Sequence, residues 1–202
     1  MGRPESESQA RGESVTTARR LDGYTLDDWE SLDPQEGRRI ELVDGRFVVN
    51  AAPAFKHQRV GDRLARILDD AVFSEGMEAV TAVGVRVGEH FGYIPDVVVT
   101  TERVETVSVD VANVALVVEI VSPSTKKSDR LEKPAALAAA GVPAYWRVEL
   151  DVADGPIIYC HRLSDGVYSD VVTLTPGNQE PVSVVGTISV TFDPADLHRP
   201  RR

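Results

Sequence analysis

Three carboxylates interrupt runs of apolar, strand-forming residues. Glu41 lies between Ile40 and Leu42, Asp96 follows Pro95 and precedes Val97-Val98-Val99, and Glu119 sits between Val117-Val118 and Ile120-Val121. A charge buried without a partner is costly, so each of these acids requires a counter-charge, a solvated face or a function. Asp96 and Glu119 are 119 − 96 = 23 residues apart. That leaves room for a strand, a loop and a second strand that set both carboxylates side by side at strand ends. Hard divalent cations such as Mg²⁺ take oxygen ligands, commonly one or two carboxylates together with waters and phosphate oxygens. A cation held in that way activates water and stabilises the charge that develops in phosphodiester hydrolysis. The competing explanation is an acid on the polar side of an amphipathic strand. It suits Glu41 better than Glu119, whose neighbours are apolar throughout.

Other chemistries have weaker support. Ser122 and Ser124 flank Pro123 in what reads as a tight turn, and no histidine is placed by motif to activate either. No phosphate-cradling GxxxxGK segment exists, and Gly84, Gly88 and Gly92 lack the strand-to-helix context of a dinucleotide fingerprint. His57 opens a helical stretch, where it fits packing or capping as well as a place near the acids. Cys160, the single cysteine, can form no internal disulfide; it fits a strand-packing thiol in a reducing compartment.

The acids need a scaffold, and the pattern of residues supplies one. Thr25 with Asp28 forms a capping box that opens a short helix through Trp29 and Leu32, stopped by Asp33-Pro34. Residues 40–43 and 46–49 are strand-like runs around Asp44-Gly45, a two-residue signal for a type I′ hairpin. From 53 to 73, Val60, Leu64, Ile67, Leu68 and Val72 recur at three- and four-residue steps, as a helix with one buried stripe requires. Its other flank carries Lys56, Arg59, Arg63 and Arg66 in the same rhythm, either a solvated face or a basic surface.

Strands are expected at 80–87, 94–100 and 114–121, the last apolar enough to be covered on both faces. The alanine-rich segment 128–140 predicts a helix ending at Gly141 and Pro143. Strands follow at 144–150, 156–162 and 167–174, with strand character again within 182–192. This order suits an α/β (α+β) domain whose mixed sheet carries helices on its faces.

A length of 202 residues, with 42% hydrophobic and 27% charged residues, fits one ordinary domain with tails. Residues 1–20 are polar and of mixed charge and read as a disordered tail, 21–192 as the domain, and 193–202 as a C-terminal tail. The net charge of −10 excludes a protein that coats nucleic acid through bulk attraction. No stretch of about 18 apolar residues suggests a membrane span, and residues 1–20 lack the apolar segment of a secretion signal. A cytoplasmic protein with no membrane partner is the expectation.

Tyr93-Ile94-Pro95-Asp96-Val97-Val98-Val99 followed by Val117-Val118-Glu119-Ile120-Val121-Ser122-Pro123-Ser124-Thr125 resembles the Uma-two group of restriction-endonuclease-like proteins, within the PD-(D/E)XK nuclease superfamily. Further matching pieces are Glu41-Leu42-Val43-Asp44-Gly45, His57 after Ala52-Pro53, Asp129-Arg130-Leu131-Glu132-Lys133, and Ala140-Gly141-Val142-Pro143-Ala144-Tyr145-Trp146. The likeness runs from about residue 24 to residue 174. It implies a restriction-endonuclease-like mixed β-sheet flanked by helices and a Mg²⁺-dependent (or Mn²⁺-dependent) endonuclease acting on DNA. Asp96 and Glu119 would be the metal ligands, joined by the Ile120 carbonyl, with Glu41 as an additional acid.

The superfamily places a lysine two positions after the second acid, where this chain has Val121. The resemblance implies that Lys133, from the following helix, takes its place to orient water or neutralise developing charge. Pro134 suits only a first helical turn, so a helix that starts near Lys133 rather than at Asp129 is the alternative, and it would redirect the ammonium. Lys126 and Lys127 are then the fallback cations. Asn50-Ala51 stands where relatives more often carry Met-Ser. All four lysines fall in two segments, so any contact with DNA would come through a local basic rim: Lys56, Arg59, Arg63 and Arg66 on one side, Lys126 to Lys133 with Arg130 on the other. A homodimer would let one site per chain cut two strands. A catalytically silent DNA-binding or interaction module on the same scaffold is the alternative, favoured by Val121 and Pro134, and an RNA substrate would use the same residues.

Overall fold

The computed structural model describes residues 22–32, 38–122, 125–150 and 155–198. The expected disordered tail at 1–20 and the Asp33-Pro34 helix stop lie outside these residues. In chain order the elements are α1 (Leu26–Glu30), β1 (Arg38–Val43), β2 (Arg46–Ala51), α2 (Phe55–Val72), β3 (Glu78–Thr81), β4 (Gly84–Gly88), β5 (Phe91–Tyr93), β6 (Val97–Thr100), β7 (Ser108–Asp110) and β8 (Val114–Val121). There follow α3 (Lys133–Ala139), β9 (Ala144–Glu149), β10 (Ile157–Ser164), β11 (Val167–Leu174), β12 (Val182–Val185) and β13 (Ile188–Val190).

The strands form two main sheets and a small hairpin. One sheet has the order β11-β10-β9-β8-β6-β3, the other β2-β1-β5-β4-β7, and β12-β13 pair alone. Among the described residues, only β8 with β9 and β4 with β7 run parallel. The parallel β8–β9 pair requires a crossover, and α3 provides it. The mixed α+β class therefore holds, with the strands shared between sheets.

The local signals explain the outer elements. Thr25 Oγ1 accepts from the Asp28 amide at 3.3 Å while Asp28 Oδ2 accepts from the Thr25 amide at 3.0 Å, closing the capping box that starts α1. Asp44 (φ 52°) and Gly45 (φ 66°) both take left-handed conformations, as a type I′ turn needs between β1 and β2. On α2 the stripe Val60, Leu64, Leu68 and Val72 is fully buried.

Strand β8 is buried along its whole length and separates two apolar layers. Leu116, Val118 and Ile120 pack with α2 and Trp146, whereas Val117 packs on the other face with Val98, Leu137 and Tyr145. Side chains alternate along a strand, so Glu119 points to the side of Val117, where α3 lies. Cys160 is a buried core thiol on β10, and burial pushes it up to about 12.

Three expectations are corrected. The single strand at 80–87 is two, β3 and β4, in different sheets: Ala82 (φ 53°) breaks the run. Residues 94–96 precede a strand that begins only at Val97, and the short β5 lies ahead of them. The C-terminal tail does not begin at 193. Pro194–Leu197 form a 3₁₀ turn capped by Asp193, whose Oδ1 accepts from the Ala195 amide at 2.8 Å, and Leu197 is wholly buried in the main core.

Candidate active site

The register of β6 against β8 pairs Val97 with Val118. One step further sets Asp96 opposite Glu119, an arrangement for which the 23-residue spacing leaves room. Asp96 is buried, and its Oδ2 accepts from the Ile120 amide at 2.8 Å, which pins the carboxylate to the end of β8. Its Oδ1 receives Arg39 Nη1 at 2.6 Å from β1. His57 Nε2, from the first turn of α2, lies 2.9 Å from the same oxygen. Burial opposes the charge of Asp96, yet His57, Arg39 and the Ile120 amide outweigh it and hold the carboxyl below its ordinary value.

Lys133 is the centre of the second half of the site. Its backbone N–H donates to the Ser128 carbonyl, closing a wide π-helical turn over Ser128–Glu132 before α3. Pro134 in the first turn of α3 has no N–H to donate to the preceding turn, so a helix with regular bonds cannot run through this point. The result is that Lys133 faces inward. Nζ donates to Glu119 Oε1 at 2.8 Å, sits 2.9 Å from Glu41 Oε1 and 3.8 Å from Asp129 Oδ1. Glu41 is held from elsewhere too: Oε1 accepts from the Ile94 amide at 2.9 Å and Oε2 from Asn50 Nδ2 at 3.0 Å.

One ammonium here faces three buried carboxylates. Burial opposes the Lys133 charge, but Glu119, Glu41 and Asp129 outweigh it and keep its pKa above the ordinary value. Glu119 is pushed well up by burial, against the pull of Lys133, and Asp129 rises to about 6 for the same first reason. Asp129 Oδ1 is buried without a hydrogen-bond donor. The cluster thus carries more negative charge than its own cations offset, a situation that favours a proton or an added cation.

These groups line one cavity of about 340 Å³ that also takes in Asn50, Lys56 and Ile120. Among the described residues, no three His, Cys, Asp or Glu side chains form a ready-made metal cage. Oxygen donors on the residues that line the cavity include the carboxylates of Asp96 and Glu119 at the strand ends and those of Glu41 and Asp129 beside them. Carboxylate oxygens are hard donors, of the kind that hard divalent cations take together with water.

Sequence reasoning named Glu41, Asp96, Glu119, His57 and Lys133, and all five meet here. Most of the other expected cations lie elsewhere. Lys126 and Lys127 are exposed and outside the cavity, with Lys127 paired to Glu132 at 2.7 Å. Of the residues expected to form a basic rim, Lys133 is buried in the site, and of the α2 series Lys56 lines the cavity, its Nζ donating to the Leu150 carbonyl at 3.0 Å. Arg59, Arg63 and Arg66 line a separate depression along α2, and Arg130 is bound to Glu149 at 2.9 and 3.0 Å. Arg39, Asn50 and Asp129 carry no distinguishing sequence signal beyond the position of Asp129 in the Asp129-Lys133 motif.

A family model described as "Putative restriction endonuclease", Uma2, matches residues 25–193. The chain belongs to the Uma2 family. The solved structures agree with this fold: one described as "a putative nuclease belonging to DUF820 from Anabaena variabilis" superposes with a TM-score of 0.67 at 18% identity, over 86% of this chain and 97% of that one. No functionally curated protein matches. Within the Uma2 match lie both main sheets and every residue of the cluster. No helix among the described residues is long and apolar enough to cross a membrane.

Proposed function

We propose that this Uma2 protein is an endonuclease that hydrolyses DNA phosphodiester bonds with Mg²⁺, for which Mn²⁺ can substitute. The observation that carries this reading is the Lys133 ammonium, 2.8 Å from Glu119 and 2.9 Å from Glu41 in the same cavity as Asp96. A lysine brought by α3 to this position does the work that Val121 cannot.

Asp96, Glu119 and the Ile120 carbonyl would hold the cation, which supplies Lewis acidity toward a phosphate oxygen and lowers the pKa of a bound water. The rest falls to the chain itself. The Ile120 amide keeps Asp96 in one orientation. Glu41, tied to Ile94 and Asn50, shares the Lys133 ammonium with Glu119 and limits where it points. From that place Lys133 orients the attacking water and offsets the negative charge that grows on the phosphate. Lys56, Arg59, Arg63, Arg66 and Arg130 would meet backbone phosphates beside the cavity, a local contact that the net charge of −10 makes necessary. A homodimer would place two such sites on two strands, and activity on DNA fits a cytoplasmic protein.

One observation favours a silent DNA-binding module instead: both oxygens of Asp96 are already engaged, by Arg39 and by the Ile120 amide. Plasmid nicking with Mn²⁺ separates the two. Wild type should cut while Asp96→Ala, Glu119→Ala and Lys133→Met lose nearly all activity; equal residual cutting in all four would remove the enzymatic reading.

A further inference from the structure

The two oxygens of Asp96 are held very differently. Oδ2 is fixed by a backbone amide of its own sheet, at 2.8 Å from Ile120 N. Oδ1 is met by two side chains from two other elements, Arg39 of β1 at 2.6 Å and His57 of α2 at 2.9 Å. Both groups line the cavity, and Arg39 also lines the neighbouring one of about 420 Å³ beside Arg38 and Trp29. The Arg39 side chain is 24% exposed, so unlike Lys133 it has room to move.

We infer that Arg39 is an exchangeable counter-charge: its guanidinium occupies Asp96 Oδ1 while no cation is bound, and moves to a phosphate oxygen of the DNA once a cation takes that oxygen. This rests on the proposed metal site. The physical reason is competition. A guanidinium and a divalent cation cannot both sit on one buried carboxylate oxygen without strong repulsion, and the guanidinium fork matches phosphate as well as it matches carboxylate. Arg39 thus guards the acid against unpaired burial in the empty protein and contributes a phosphate contact in the loaded one.

Two measurements on the full chain, wild type against Arg39→Gln, test this. First, Mn²⁺ binding without DNA is followed by calorimetry; loss of the competitor should tighten it about tenfold. Second, duplex DNA affinity is measured across a salt series, with Ca²⁺ as the non-cleaving cation and with no cation. Removing one phosphate contact lowers the salt slope by about one. The slopes should differ by that amount with Ca²⁺ and coincide without it, because the arginine of the empty protein is committed to Asp96. A purely structural Arg39 would leave the slopes equal in both conditions, which overturns the exchange, as does unchanged Mn²⁺ affinity. Mn²⁺ bound equally by wild type and Arg39→Gln but lost in Asp96→Asn would sink the exchange and leave the metal site standing. No Mn²⁺ bound by any folded form would sink both. If Arg39→Gln melts early, Arg39→Lys serves, with intermediate values expected because it keeps the charge and loses the fork.

Discussion

Lys133 Nζ donates to Glu119 Oε1 at 2.8 Å across 14 residues of chain, and both side chains are almost wholly buried. The pair joins α3 to the end of β8 and brings a lysine to a strand-end acid. Its partners Glu41 and Asp129 make the ammonium a shared counter-charge, so its removal exposes carboxylates to one another.

Truncating Lys133 should therefore be expensive for the fold as well as for chemistry. Breaking a buried ion pair by removing one partner typically costs about 3–5 kcal/mol. Lys133→Met is expected to lose that much in urea denaturation without added metal, whereas Lys133→Met combined with Glu119→Gln should lose clearly less, since one orphaned charge is gone. A single variant as stable as wild type would show that the ammonium is not the counter-charge described here.

Asp129 makes stability depend on pH in a direction opposite to most carboxylates. Burial raises its pKa from 3.8 to about 6, so the folded chain binds the proton more tightly than the unfolded chain. That contribution is fully present below about pH 4 and is lost as pH rises through about 6. Asp129→Asn lacks the titration. Relative to wild type it should gain stability between pH 4 and pH 7, by up to roughly 3 kcal/mol. Parallel denaturation series at those two pH values measure the gap, and a gap that stays constant or narrows contradicts the assignment.

Gly92 is a test of packing away from the cavity. A Cβ at this position would lie 2.5 Å from the Trp29 ring, whose Nε1 donates to the Ile40 carbonyl at 2.6 Å. The indole is buried and tied to the hairpin by that bond, so Gly92→Ala should cost about 1–3 kcal/mol through overpacking. A thermal melt reads it; the control Gly88→Ala, where a Cβ meets nothing within 4 Å, should be much milder.

How much of this was legible follows from the range of the interactions. Local signals are readable: the Thr25 capping box, the Asp44-Gly45 turn and the α2 stripe each act within a few residues. The unbroken apolar run of β8 makes an internal strand plain, and an acid inside it stands out. Breaks that depend on tertiary packing are hidden. Ala82 takes a left-handed conformation with no glycine to announce it, and β5 contains Gly92 because Trp29 needs the space. The burial of Leu197 is likewise a matter of what the last turn meets in space. At the site, residues inside motif pieces were visible, including Lys133 despite Pro134. Arg39 and Asn50 were not, because an exposed-looking arginine or asparagine on a hairpin acquires its role only from what the fold sets opposite it.

The central claim is a cation site made by Asp96, Glu119 and the Ile120 carbonyl, and Mn²⁺ soaked into crystals of the full chain tests it most directly. An anomalous peak is expected within about 2.1 Å of carboxylate oxygens from both acids, with Lys133 still on Glu41 and absent from crystals of Asp96→Asn. Ordered crystals with no peak there at millimolar Mn²⁺, or with Mn²⁺ only on surface carboxylates, would contradict the account.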